Sequence, residues 1–197
     1  MASDRFGLQK YVVRRKFFQF LGAAFHIYDE NESQVLFYSK LKAFKLKEDI
    51  RVYSGEDMQQ EVLTIKARKM LDISSAYDVV DPTTGQKVGA MRRKGMKSII
   101  KDEWVILDVS DNEIGLVEED SMALALVRRF VPYANIFLPQ AYHGSIGGTQ
   151  VCQFKQNFNP FVLKVSLDYG PDRQGLLDRR LGIAAAILLC AIEGRQS

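Results

Sequence analysis

Cations at strand-like spacing are the first feature of this chain that could do chemistry. In KLKAFKLK, residues 40–47, Lys40 and Lys42 share one strand face, and Lys45 and Lys47 share one face. Leu41 with Ala43, and Phe44 with Leu46, then point inward. Two inward residues in succession, Ala43 and Phe44, require a bulge or a tight bend. With that bulge, all four ammonium groups face outward together. A basic residue beside an anionic bilayer contributes about 1 kcal/mol, so four give roughly a thousandfold partition toward acidic lipid. Salt weakens such a partition steeply. A second stretch carries Arg92, Arg93, Lys94, Lys97 and Lys101, and arginine adds bidentate recognition of phosphate. The same cations also suit a solvated barrel exterior, where lysine discourages edge pairing. Glu48, Asp49, Asp102 and Glu103 lie close enough in sequence to neutralise part of the charge.

Other reactive residue types are sparse. The histidines are His26 and His143. His26 sits in an apolar strand and reads as a packed core residue. His143 precedes Gly144-Ser145-Ile146-Gly147-Gly148, which fits neither a P-loop nor a dinucleotide fingerprint and reads as a hairpin loop. Cys152 and Cys190 lack zinc-finger spacing with the histidines, and Cys190 falls inside an apolar run. The acidic stretch Asp108 to Glu113 lacks the glycine and terminal glutamate of an EF-hand loop. Asp168, Asp172 and Asp178 read as an ordinary turn, with Asp178 near a helix N-terminus. Glu118-Glu119-Asp120 reads as N-terminal charge for an amphipathic helix capped by Ser121. The expectation is a protein without catalytic residues, metal or cofactor.

These residues must be positioned by the rest of a 197-residue chain, a length that fits one large domain. The net charge is only +3, so no global excess of cations demands nucleic acid. Two cysteines without a CxxC imply no disulfide framework, and the N-terminus lacks a signal peptide's apolar core, so a cytoplasmic protein is expected. The uncharged run Leu181 to Ile192 has twelve residues. As a helix it reaches about 18 Å, short of the roughly 30 Å of bilayer hydrocarbon. A helix about 178–193 that is apolar on all sides is one surrounded by protein.

Most other segments read as strands: Phe17 to Tyr28, Val35 to Tyr38, Ile50 to Tyr53, Glu61 to Arg68, Ala76 to Val80, Val88 to Met91, Trp104 to Val109, Gln150 to Phe154 and Phe161 to Leu167. They also repeat. Asp29 falls on Asp81, Gln34 on Gln86, and Lys40, Lys42 and Lys45 on Arg92, Lys94 and Lys97. A fainter third copy runs from Gly148 to Asp168. A repeated multi-strand unit suggests a closed barrel, because closure removes exposed edges. Such a barrel can enclose the apolar helix.

The motifs Phe25-His26-Ile27-Tyr28-Asp29, Tyr38-Ser39-Lys40, Ala43 to Asp49, Tyr77 to Asp81, Thr84-Gly85 and Trp104 resemble the LURP-one-related family, which belongs with the phospholipid scramblases and the Tubby C-terminal domain. The resemblance runs from about Tyr11 to Ile192. It implies a mainly β (α+β), Tubby C-terminal-like fold, a closed antiparallel barrel of roughly twelve strands around a buried hydrophobic C-terminal helix, spanning 1–197 as a single domain. It also implies a non-enzymatic binding module that takes anionic phospholipid or phosphoinositide head groups through a basic barrel surface. The expected ligand residues are Lys40, Lys42, Lys45, Lys47, Arg92, Arg93, Lys94, Lys97 and Lys101, in a cytoplasmic protein peripheral at the membrane. The alternative is a scaffold barrel that meets a protein partner. Lipid scrambling and nucleic-acid-linked regulation rank below both, since nothing spans a bilayer and no aromatic stacking platform accompanies the cations.

Overall fold

The structure is a computed structural model that describes residues 3–18, 22–41, 49–68, 76–94, 103–120, 140–157 and 162–193. A short 3-10 helix, Ser3–Phe6, leads into twelve strands. They are β1 (Lys10–Phe18), β2 (Gly22–Asp29), β3 (Val35–Leu41), β4 (Ile50–Tyr53), β5 (Glu61–Ala67), β6 (Ala76–Val80), β7 (Lys87–Arg93), β8 (Glu103–Leu107), β9 (Glu113–Glu119), β10 (Ala141–Ile146), β11 (Thr149–Gln156) and β12 (Leu163–Asp168). Each pairs antiparallel with its sequence neighbours, and β1 pairs with β12 from Lys10↔Asp168 to Arg15↔Leu163. The sheet is therefore a closed barrel, as expected from the repeat.

Helix α1 (Arg179–Glu193) fills the barrel. Every side chain from Ile183 to Ala191 is at most 3% exposed. The inward strand residues, among them Tyr11, Val13, Phe25, Ile27, Phe37, Ile65 and Phe154, form one apolar cluster with it. Among the described residues no helix is long and apolar enough to cross a membrane. At the start of the helix, Asp178 Oδ1 accepts the Arg180 N–H at 2.9 Å, and Asp172 accepts the N–H groups of Leu176 and Leu177 at 2.8 and 3.0 Å. These bonds close the preceding turn and cap the helix. At its other end, Arg15 Nη1 donates to the carbonyl of Cys190 at 2.7 Å.

Close approach explains the small residues of α1. A methyl group on Gly182 would collide with the ring and hydroxyl of Tyr169, which donates to the Arg179 carbonyl at 2.6 Å. Gly182→Ala should therefore cost about 1–3 kcal/mol. A thermal melt unchanged from wild type would show that the Tyr169 contact does not set this spacing.

The repeat is real at the level of register. Pairing shifts between Ile27/Tyr28 and again between Val79/Val80, where the sequence alignment places them together. It shifts between Val52/Tyr53 and again between Ile106/Leu107. The aligned aspartates do the same work. Asp29 Oδ1 accepts the Ser33 N–H at 2.7 Å, and Asp81 Oδ1 accepts the Thr83 N–H at 2.8 Å, each closing a hairpin.

Several expectations need correction. Phe17 to Tyr28 is not one strand; β1 ends at Phe18 and β2 begins at Gly22, and the two pair with each other. Strands β1, β9 and β10 were not expected, because charge or glycine interrupts their apolar alternation. Gly144 to Ile146 is strand rather than loop, and the turn is Gly147-Gly148 alone. Gly144 is glycine because a methyl group there would strike Cys152 Sγ. Glu118 and Glu119 lie in β9, with Glu119 buried on the inner face, so they are not helix N-terminal charge. The helix expected from Ser121 lies outside the described residues.

Candidate anionic-ligand face

The candidate face is built by alternation on the outside of β1, β2 and β3. On β3, Phe37 and Leu41 enter the core, so Lys40 between them points out and is exposed. Lys40 stands across from Ala24 on β2, and Ala24 stands across from Lys16 on β1. One register row over, Arg14 stands across from His26 and His26 from Tyr38. Arg14, Lys16 and Lys40 thus surround Ala24 and His26 on one surface. Among the described residues none of the three cations makes an ion pair. Arg14 Nε is buried without a hydrogen-bond partner.

His26 belongs to this outer face, not to the barrel core. It alternates with the inward Phe25 and Ile27, and the rings of Tyr28 and Tyr38 cover it at 6.1 and 5.0 Å. Its Nε2 is 2.8 Å from Glu56 Oε1. Burial holds its pKa below the ordinary imidazole value, and the neighbouring charges of Lys16 and Arg14 push the same way, while Glu56 opposes them.

The second basic stretch is arranged differently. Arg92 points outward and pairs with Glu113, and Lys94 pairs with Glu103. Arg93 follows Met91 in the inward register and stands across from Trp104. Arg92 and Arg93 therefore occupy opposite faces of β7. Lys42, Lys45, Lys47, Lys97 and Lys101, and the bulge expected at Ala43-Phe44, lie outside the described residues. Sequence reasoning missed Arg14 and Lys16. Their signal was present in Arg14-Arg15-Lys16, because alternation sends the middle residue inward and its neighbours out.

The remaining polar groups serve local structure. Asp108 accepts the N–H groups of Ser110 and Asn112 at 2.8 and 2.9 Å, which closes its own turn. His143 Nδ1 lies 2.6 Å from Asp120 Oδ1, and Nε2 lies 3.2 Å from Glu118 Oε1. Among the described residues no group of His, Cys, Asp or Glu is arranged to hold a metal ion. Burial pushes the Cys152 thiol up to about 12, which suppresses its thiolate. An open cleft of about 640 Å³ near the start of α1 is lined by Lys10, Asp168, Asp172, Arg173 and Arg179, a mixture of charges without one sign.

A closed antiparallel barrel around a C-terminal apolar helix, with an outer face whose cations Arg14, Lys16 and Lys40 make no ion pair among the described residues, defines the class of protein. The family model for LURP-one-related proteins matches residues 35–189, and the chain belongs to that family. No curated protein and no solved structure matches it. Strands β1 and β2 precede the matched residues, so Arg14 and Lys16 come from outside that segment.

Proposed function

We propose that the protein is a non-enzymatic binding module that engages anionic phosphate head groups through Arg14, Lys16 and Lys40, as a peripheral protein at the cytoplasmic side of a membrane. The observation that carries this reading is the grouping of three cations on β1 and β3, none of them ion-paired among the described residues, while the nearby Glu56 is held by His26. Arg92 and Lys94, by contrast, pair with Glu113 and Glu103. Arginine supplies the bidentate fork and the two lysines supply mobile ammonium groups.

Co-sedimentation with phosphatidylserine-containing vesicles, compared with pure phosphatidylcholine, tests it at low and physiological salt. The wild-type chain should pellet with the acidic vesicles only. Combined reversal of Arg14, Lys16 and Lys40 to Glu should weaken that binding by roughly a hundredfold or more. Wild-type protein that stays in the supernatant at both salt concentrations would move the assignment to a barrel that meets a protein partner.

A further inference from the structure

We infer that the cleft beside the start of α1 is a second anion site, built to take a phosphate monoester through Arg173 and Arg179. It shares no residue with Arg14, Lys16 and Lys40 and does not rest on the function proposed above.

Counted by sign the cleft is mixed, but its charges are not equally available. Lys10 is held by Glu30 at 2.6 Å. Asp172, only 6% exposed, engages both oxygens with the N–H groups of Leu176 and Leu177, whose dipoles partly offset its charge. Asp168 Oδ1 accepts the Gly170 N–H at 2.7 Å. Arg173 and Arg179 differ. Both line the cleft, and among the described residues neither side chain makes an ion pair or a hydrogen bond. Two guanidinium groups and one oxygen of Asp168 are what the cleft offers a ligand.

Arg179 anchors the site. Its guanidinium lies 4.1 Å from the centre of the Tyr169 ring, which is fully buried and held by its own hydrogen bond to the Arg179 carbonyl. The ring fixes the head group at the cleft wall without neutralising it. Arg179 Nη1 is buried and donates to no protein acceptor, an arrangement that is costly for a charged donor until an anion offsets the charge. The next residue shows the usual solution, since Arg180 pairs with Asp178 at 2.7 Å and with Asp81 at 3.1 Å. Arg179 stands in the same turn of helix without such a partner.

Charge and shape select the ligand. A phosphate monoester carries close to two negative charges near neutral pH, which matches two unpaired guanidinium groups. Its three free oxygens can meet a bidentate fork from Arg179 and a further contact from Arg173. A monocarboxylate fills one fork only. The cleft, at about 640 Å³, also leaves room for the organic part of the ester.

The test is an NMR titration of the isotope-labelled full chain at physiological salt, followed through the arginine Nε–H signals. The probes are glycerol phosphate, dihexanoyl phosphatidic acid below its micelle concentration, and acetate. Both phosphate monoesters should saturate the Arg179 signal and acetate should not, and the tighter monoester tells whether the source is a free metabolite or a lipid head group. Arg179→Met should weaken binding by about tenfold or more, and Arg179→Lys, which keeps the charge but loses the fork, by roughly fivefold. Arg173→Gln, at an exposed position that leaves the thermal melt unchanged, should weaken it by about threefold. Asp168→Asn should tighten it, because a repelling charge is removed. Shifts that never saturate, or that match wild type in both Arg173→Gln and Arg179→Lys, overturn the site. Loss of affinity in Asp168→Asn also overturns it, because the ligand would then present a cation to that oxygen. Combined reversal of Arg14, Lys16 and Lys40 should leave the titration unchanged, and a loss there would mean that the phosphate binds the outer face instead.

Discussion

Ile187→Asp should abolish the cooperative fold. Ile187 is fully buried at the middle of α1, with the barrel on every side. A carboxylate there is enclosed by apolar side chains, so it must ionise at a large desolvation cost or take up a proton and still lack hydrogen-bond partners. The penalty is about 4 kcal/mol or more, a large part of a typical domain's stability. Ile187→Val, which removes one methylene from the same place, should cost only about 1 kcal/mol. Trp104, only 2% exposed, reports the difference through its fluorescence during urea unfolding. A soluble Ile187→Asp protein with a wild-type unfolding transition would refute a barrel built around this helix.

The second large effect separates two adjacent arginines. Arg15 is 8% exposed, points inward, donates to the Cys190 carbonyl at 2.7 Å and lies 6.0 Å from the Phe25 ring centre. Its charge also meets the negative end of the helix dipole. Arg15→Met keeps apolar volume and removes the donor, so the Cys190 carbonyl loses this charge-assisted bond in a buried place. A loss of about 2–4 kcal/mol is expected. Arg14→Met, one residue earlier on the outer face, should change stability by less than about 0.5 kcal/mol and instead weaken vesicle binding. Urea denaturation of the two variants distinguishes them. Equal stability loss would mean that the inward and outward assignments of β1 are wrong.

Much of the fold is legible without coordinates because its signals are local. The run from Leu181 to Ile192 is too short to span a bilayer and too apolar for a surface, so enclosure is the physical solution that remains. The aspartates at 29 and 81 mark turns through their own side-chain bonds, and their spacing reveals the repeat. The strands that escaped notice are those whose pattern is locally contradictory. In β1, Arg14-Arg15-Lys16 looks like a solvated charge run, and only the helix carbonyls inside the barrel explain an inward arginine. In β10, glycine reads as a turn until Cys152 on the facing strand shows why a side chain cannot fit.

The candidate site divides along the same line. Periodicity alone shows that cations recur at strand spacing, that Lys40 faces outward, and that the final apolar helix must be enclosed. Those follow from periodicity, which acts over a few residues. Which charges survive depends on contacts between distant strands and turns. Carboxylates distant in sequence neutralise Arg92, and the turn that holds Glu56 reaches across to His26. Hairpin pairing sets β1 and β3 on either side of β2, which places Arg14 and Lys16 across Ala24 and His26 from Lys40, and closure brings β1 beside β12. Charge pairing and position around a closed barrel depend on register between strands, and no single strand carries that information.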